Sequence, residues 1–88
     1  MTIKRGTQIA YIPDHAEDDI TYPDVEFGFA MNVPGHVGVA CRYWRKGHPG
    51  ELRMVANSEM TPLENITEYE SVPQRIVDQT IKQILEAQ

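Results

Sequence analysis

The chain has 88 residues, too few for two separately packed domains, and its hydrophobic (41%) and charged (24%) fractions exclude wholesale disorder. A net charge of −5 repels polyanions in general, and the single cysteine excludes an intramolecular disulfide. No apolar run approaches the roughly 20 residues that a spanning helix needs, and the start "MTIKRGTQ" has no apolar stretch behind its basic residues. The expectation is therefore a cytoplasmic protein with no membrane partner.

In chain order, "GTQIAYIP" (6–13) reads as a first strand closed by Pro13. "DHAEDDITYPD" follows as a long polar loop, and loops of such length are often functional. From Asp14 to Glu26 the chain carries Asp14, Glu17, Asp18, Asp19, Asp24 and Glu26 with no Lys or Arg. "VEFGFAMNV" alternates cleanly, with Val25, Phe27, Phe29 and Met31 on one face and Glu26, Gly28 and Ala30 on the other. A turn through Pro34–Gly35 leads to "VGVACRYW". There Val37, Val39, Cys41 and Tyr43 share one face, and Arg42 and Trp44, on the opposite face, are expected to point outward.

The next turn, "RKGHPGE", should close a hairpin onto a fourth strand, "LRMVANS". The stretch from Cys41 to Arg53 contains Arg42, Arg45, Lys46 and Arg53, four of the eight cations in the chain. Its charge opposes that of the first loop, so the two segments could attract each other or mark two contact surfaces. Thr61-Pro62-Leu63-Glu64 has the form of a capping box and predicts a 3₁₀-like turn, followed by a short fifth strand near Ile66–Tyr69. "NIT" (65–67) matches a glycosylation sequon and is read as chance. The last segment predicts the one true helix. Ser71 and Gln74 would form its capping box, and Ile76, Val77, Ile81, Ile84 and Leu85 its apolar stripe.

The order of "GTQIAYIP", "VEFGFAMNV", "VACRYW" and "TPLENI" resembles an SH3-like barrel, in the layout of KOW, Tudor and related small barrels. The resemblance implies a mainly β, five-stranded barrel over residues 1–70. Residues 71–88 would add a helix that either packs on the barrel or forms a homodimer seam. The chain also resembles small acidic proteins of bacteriophages and prophages. It lacks the "ALYDY"-like stretch of signalling SH3 domains, so their site residues do not carry over.

Two binding readings follow. In the first, the chain is a non-catalytic interaction module whose acidic loop (Asp14, Glu17, Asp18, Asp19) and aromatics (Tyr11, Tyr22, Trp44) hold a protein or peptide partner. In the alternative, Arg42, Trp44, Arg45 and Lys46 bind a nucleic-acid strand, the ring stacking a base while the cations meet phosphates. A lesser alternative makes the acidic run a mimic of DNA phosphates that blocks an enzyme. No metal is expected, since His15, His36 and His48 lie in separate segments without ligand spacing. No cofactor or catalytic residue is expected either. No glycine-rich phosphate loop follows a strand, and Cys41 lies on an apolar strand face, where a thiol is inert.

Overall fold

The computed structural model describes residues 2–88. Five strands, β1 (Gln8–Tyr11), β2 (Glu26–Ala30), β3 (Val39–Tyr43), β4 (Glu59–Thr61) and β5 (Ile66–Glu68), form one antiparallel sheet in the order β4-β3-β2-β1-β5. The sheet curls into a half-barrel, and a helix, α1 (Gln74–Glu86), follows it. The fold class expected from the sequence, a small five-stranded barrel-type sheet with a C-terminal helix, is the one observed.

Register explains why the sheet needs apolar residues on both faces. Ile9 pairs with Gly28 and Gly28 with Tyr43, so Ile9, Ala30, Val39, Cys41, Tyr43 and Ile66 share one face and form the first core. Gln8 pairs with Phe29 and Phe29 with Arg42 on the other face. There Phe29, Met31 and Trp44 pack beneath Val77, Ile81 and Ile84 of α1 to form the second core. A three-layer order results: first core, sheet, helix. Gly28 allows β2 and β3 to approach closely, since a Cβ there would stand 2.0 Å from the Arg42 carbonyl oxygen.

Several local expectations need correction. "LRMVANS" is not a strand. Leu52–Met54 forms a 3₁₀ turn, Val55 makes a single bridge to Trp44, and the fourth strand lies further on at Glu59–Thr61. The β3–β4 connection is therefore a long excursion rather than a tight hairpin. Val37 lies outside β3 and is exposed, and β1 is shorter than "GTQIAYIP".

Neither capping box forms. The turn Leu63–Asn65 and the helix both start after a proline, Pro62 and Pro73, without a side-chain cap. Thr61 is buried and its hydroxyl bonds that of Tyr43 at 2.8 Å, while Gln74 donates to the Gly6 carbonyl at 2.7 Å. Both residues are engaged in tertiary contacts that a local motif does not foresee.

The expectation that Trp44 points outward is overturned as well. Trp44 is 4% exposed and packs on Phe29, with ring centroids 5.2 Å apart, because α1 covers that face of the sheet. Of the predicted helical stripe, Val77, Ile81 and Ile84 are buried, Ile76 is partly buried and Leu85 is exposed. No helix among the described residues is long and apolar enough to cross a membrane.

Candidate functional site, a cleft between two loops of opposite charge

The acidic loop is held by its own polar groups. A 3₁₀ turn (Asp14–Ala16) buries Ala16, and Glu17 and Asp18 then take left-handed conformations (φ 50° and 63°) that reverse the chain. Asn65 anchors the start of the loop by donating to the Ile12 carbonyl (3.1 Å) and the Asp14 carboxylate (2.8 Å). Asp19 accepts both the N–H and the hydroxyl of Thr21, which hold its carboxyl below the usual range. Further on, His15 Nε2 meets Asp24 at 2.7 Å, and the His15 ring stands edge-on to Tyr22 with centroids 5.3 Å apart.

The basic segment folds back differently. Arg45 N–H donates to the Met54 carbonyl and Ala56 N–H to that of Tyr43, so the excursion leaves and rejoins the sheet at adjacent points. Gly47 and Gly50, both at φ 84°, supply the left-handed turns. Arg42 does not pair with the acidic loop. Its guanidinium donates to the Ala56 carbonyl at 3.3 Å, and its Nε is buried without a partner among the described residues, as is Trp44 Nε1.

Between these two segments lies an open cleft of about 1390 Å³. One wall is the end of the acidic loop and the start of β2, from Ile20 to Phe27; the other runs from Trp44 through Lys46 and Pro49 to Ala56. Phe27 and Tyr69, with rings tilted at 5.1 Å, line part of it. Apolar groups dominate its surface, and the ionic groups stand on opposite walls: Asp24 and Glu26 on one, Arg45, Lys46 and Arg53 on the other. The walls meet at the sheet, where Trp44 N–H donates to the Phe27 carbonyl (2.8 Å); further out Lys46 Nζ makes a long contact with the Pro23 carbonyl (3.4 Å), and no ion pair crosses between the walls among the described residues.

Of the residues singled out in the sequence, the cleft gathers Tyr22, Trp44, Arg45 and Lys46. Tyr11, Asp14, Glu17, Asp18, Asp19 and Arg42 lie outside its lining. Tyr11 packs on the first core, edge-on to Tyr43 at 6.3 Å. Phe27, Val55 and Tyr69 line the cleft and were not foreseen. Phe27 read as a core position of its strand, and Tyr69 arrives from the far end of the chain, which no local pattern reports.

Two further groups on the first face bear on its chemistry. Glu26 is exposed overall, yet partial burial of its carboxyl, together with the nearby charge of Glu59, raises its pKa. Burial likewise raises the Cys41 thiol, leaving it a neutral packing group at physiological pH. No family model matches the sequence, and none of the curated proteins or solved structures compared with it is similar.

Proposed function

We propose that the chain is a small, non-catalytic interaction module of SH3-like type, of the kind encoded by bacteriophages and bacteria, which holds an extended segment of a protein partner. The observation that carries this reading is the cleft between the β1–β2 loop and the β3–β4 excursion. At about 1390 Å³ it is larger than the ~300–1,000 Å³ of an ordinary small-molecule pocket and open to solvent, which leaves room for several residues of a partner chain. Apolar lining with charged groups at the edges is the anatomy of a recognition surface, and Tyr22 (37% exposed) and Tyr69 (44% exposed) present rigid aromatic area to an arriving ligand.

The reading is tested by selecting peptides from a random library on the full-length chain and recording backbone amide shifts on titration. The expected result is perturbation at Tyr22, Lys46, Val55 and Tyr69, with Cys41 and Val77 unmoved. Peptides that move only residues remote from the cleft would overturn the reading, as would a library that yields none.

A further inference from the structure

The sign of charge that the cleft accepts follows from which of its ionic groups already have partners. Of the two carboxylates that line the cleft, Asp24 is tied to His15 and Glu26 alone has no ion pair or side-chain hydrogen bond among the described residues; beyond the cleft, Asp19 is tied to Thr21 and Asp14 to Asn65. On the facing wall, Arg45 has no ion pair or side-chain hydrogen bond among the described residues. Lys46 reaches only a backbone carbonyl at 3.4 Å. Arg53 meets Glu51 at 3.8 Å with its side chain 85% exposed, a geometry too loose to neutralise it.

We infer that the occupant is an acidic segment of a partner protein, with carboxylates meeting Arg45, Lys46 and Arg53 and an apolar side chain on Phe27, Val55 and Tyr69. This rests on the reading of the cleft as a peptide site. It moves the contact with the partner away from the acidic loop, which the sequence suggested, to the cations that face it. That loop uses much of its charge in its own folding, whereas the cations opposite have only the loose contact of Arg53 with Glu51. Charge complementarity of this kind selects partners and speeds encounter more than it adds raw affinity.

A nucleic acid fits less well, although it too would meet the cations. Trp44 is packed under α1 and offers no face on which a base could stack.

The test uses the full-length chain and three labelled peptides that share a Leu-Phe centre, flanked by Asp/Glu, by Ser/Gln or by Lys/Arg, with a single-stranded oligonucleotide alongside. Affinity is read by fluorescence anisotropy at low and high ionic strength. The acidic peptide should bind about tenfold or more tighter than the basic one and lose that advantage at high salt. Combining Arg45→Glu with Lys46→Glu, both at exposed positions, should invert the preference; should that variant not fold, the salt response of the unaltered chain separates the same outcomes. If the neutral or basic peptide binds as well as the acidic one, the inference about charge is overturned while the cleft remains a peptide site. If no peptide binds, or only the oligonucleotide does, both the inference and the reading beneath it fall.

Discussion

The side chain of Gln8 pairs with the main chain of Val72 as a neighbouring strand would. Its carboxamide donates to the Val72 carbonyl at 2.7 Å and accepts from the Val72 N–H at 3.2 Å. The same oxygen accepts from Ser71 N–H at 3.1 Å, and the same nitrogen donates to the side chain of Gln74. Gln8 is 5% exposed, so this latch joins β1 to the entry of α1 in a setting where lost hydrogen bonds are not simply replaced by water.

Gln8→Ala should therefore destabilise the chain by about 3 kcal/mol, since it strips partners from main-chain groups that lie against the sheet. Urea denaturation checks this: the midpoint should fall with the slope unchanged. A midpoint within error of the parent would mean that water or a shifted backbone takes over every bond. Gln8→Glu should cost at least as much at neutral pH, because a carboxylate cannot donate to the Val72 carbonyl.

Removing residues 73–88 uncovers Phe29, Met31 and Trp44, which sit under Val77, Ile81 and Ile84. Burying one such side chain contributes about 1.5–3 kcal/mol, so losing the whole layer exceeds the net stability of a small domain. The truncated chain should be unfolded at room temperature, with the Trp44 emission shifted to the red and near-ultraviolet dichroism lost. Were the helix chiefly a dimer seam, the same truncation would instead yield a folded, smaller monomer. A milder probe is Phe29→Ala, which empties a fully buried site beside Trp44 and should cost about 3–5 kcal/mol.

What the sequence disclosed and what it hid divides along the reach of the interactions. β2 and β3 were legible because Phe27, Phe29 and Met31 alternate with Gly28 and Ala30, and Val39, Cys41 and Tyr43 with Ala40 and Arg42. The 3₁₀ turn after Pro62 and the spacing of Val77, Ile81 and Ile84 are also local signals. β4 was not legible: "LRMV" has the residues of a strand, but the long excursion from Trp44 delays pairing until a segment, Glu59–Thr61, with little strand character.

The burial of Trp44 and Gln8 depends on where a helix thirty or more residues away comes to rest, and nothing near either residue encodes that. For the cleft the pattern repeats. Tyr22, Arg45 and Lys46 stand out by residue type, whereas Phe27 and Tyr69 join them only through the order of the strands.

Gly28→Ala tests how tightly β2 and β3 are drawn together. The added methyl would meet the Arg42 carbonyl oxygen at 2.0 Å and Tyr43 Cα at 2.8 Å, both backbone atoms that cannot rotate away. β2 and β3 must separate, and the expected loss is about 3 kcal/mol or more, seen as an insoluble or thermally weakened chain. Gly47→Ala is the control. It has open space around it and only its left-handed φ of 84° to oppose, so it should cost about 1 kcal/mol. A loss at Gly28 no larger than that at Gly47 would show that β2 and β3 can separate at little cost, since Gly28 has no left-handed φ to account for it.

Glu26 gives the stability of the chain a definite pH dependence. Partial burial and then the charge of Glu59 raise its pKa in the folded state, so the folded chain holds this proton more tightly than the unfolded chain does. Where the folded form binds more protons, stability falls as pH rises. The contribution of Glu26 is therefore fully present below its unfolded value and is lost as pH climbs through the higher folded one. At neutral pH the ionised carboxylate is a burden, which Glu26→Gln removes while keeping shape and hydrogen-bonding capacity. The variant should be more stable than the parent at pH 7, and the difference should vanish in acid, where the parent carries its proton too. Thermal melts across that range decide the matter. A Gln variant that is less stable at pH 7 would mean that the Glu26 carboxylate gains more from the cations across the cleft than it loses to burial and Glu59.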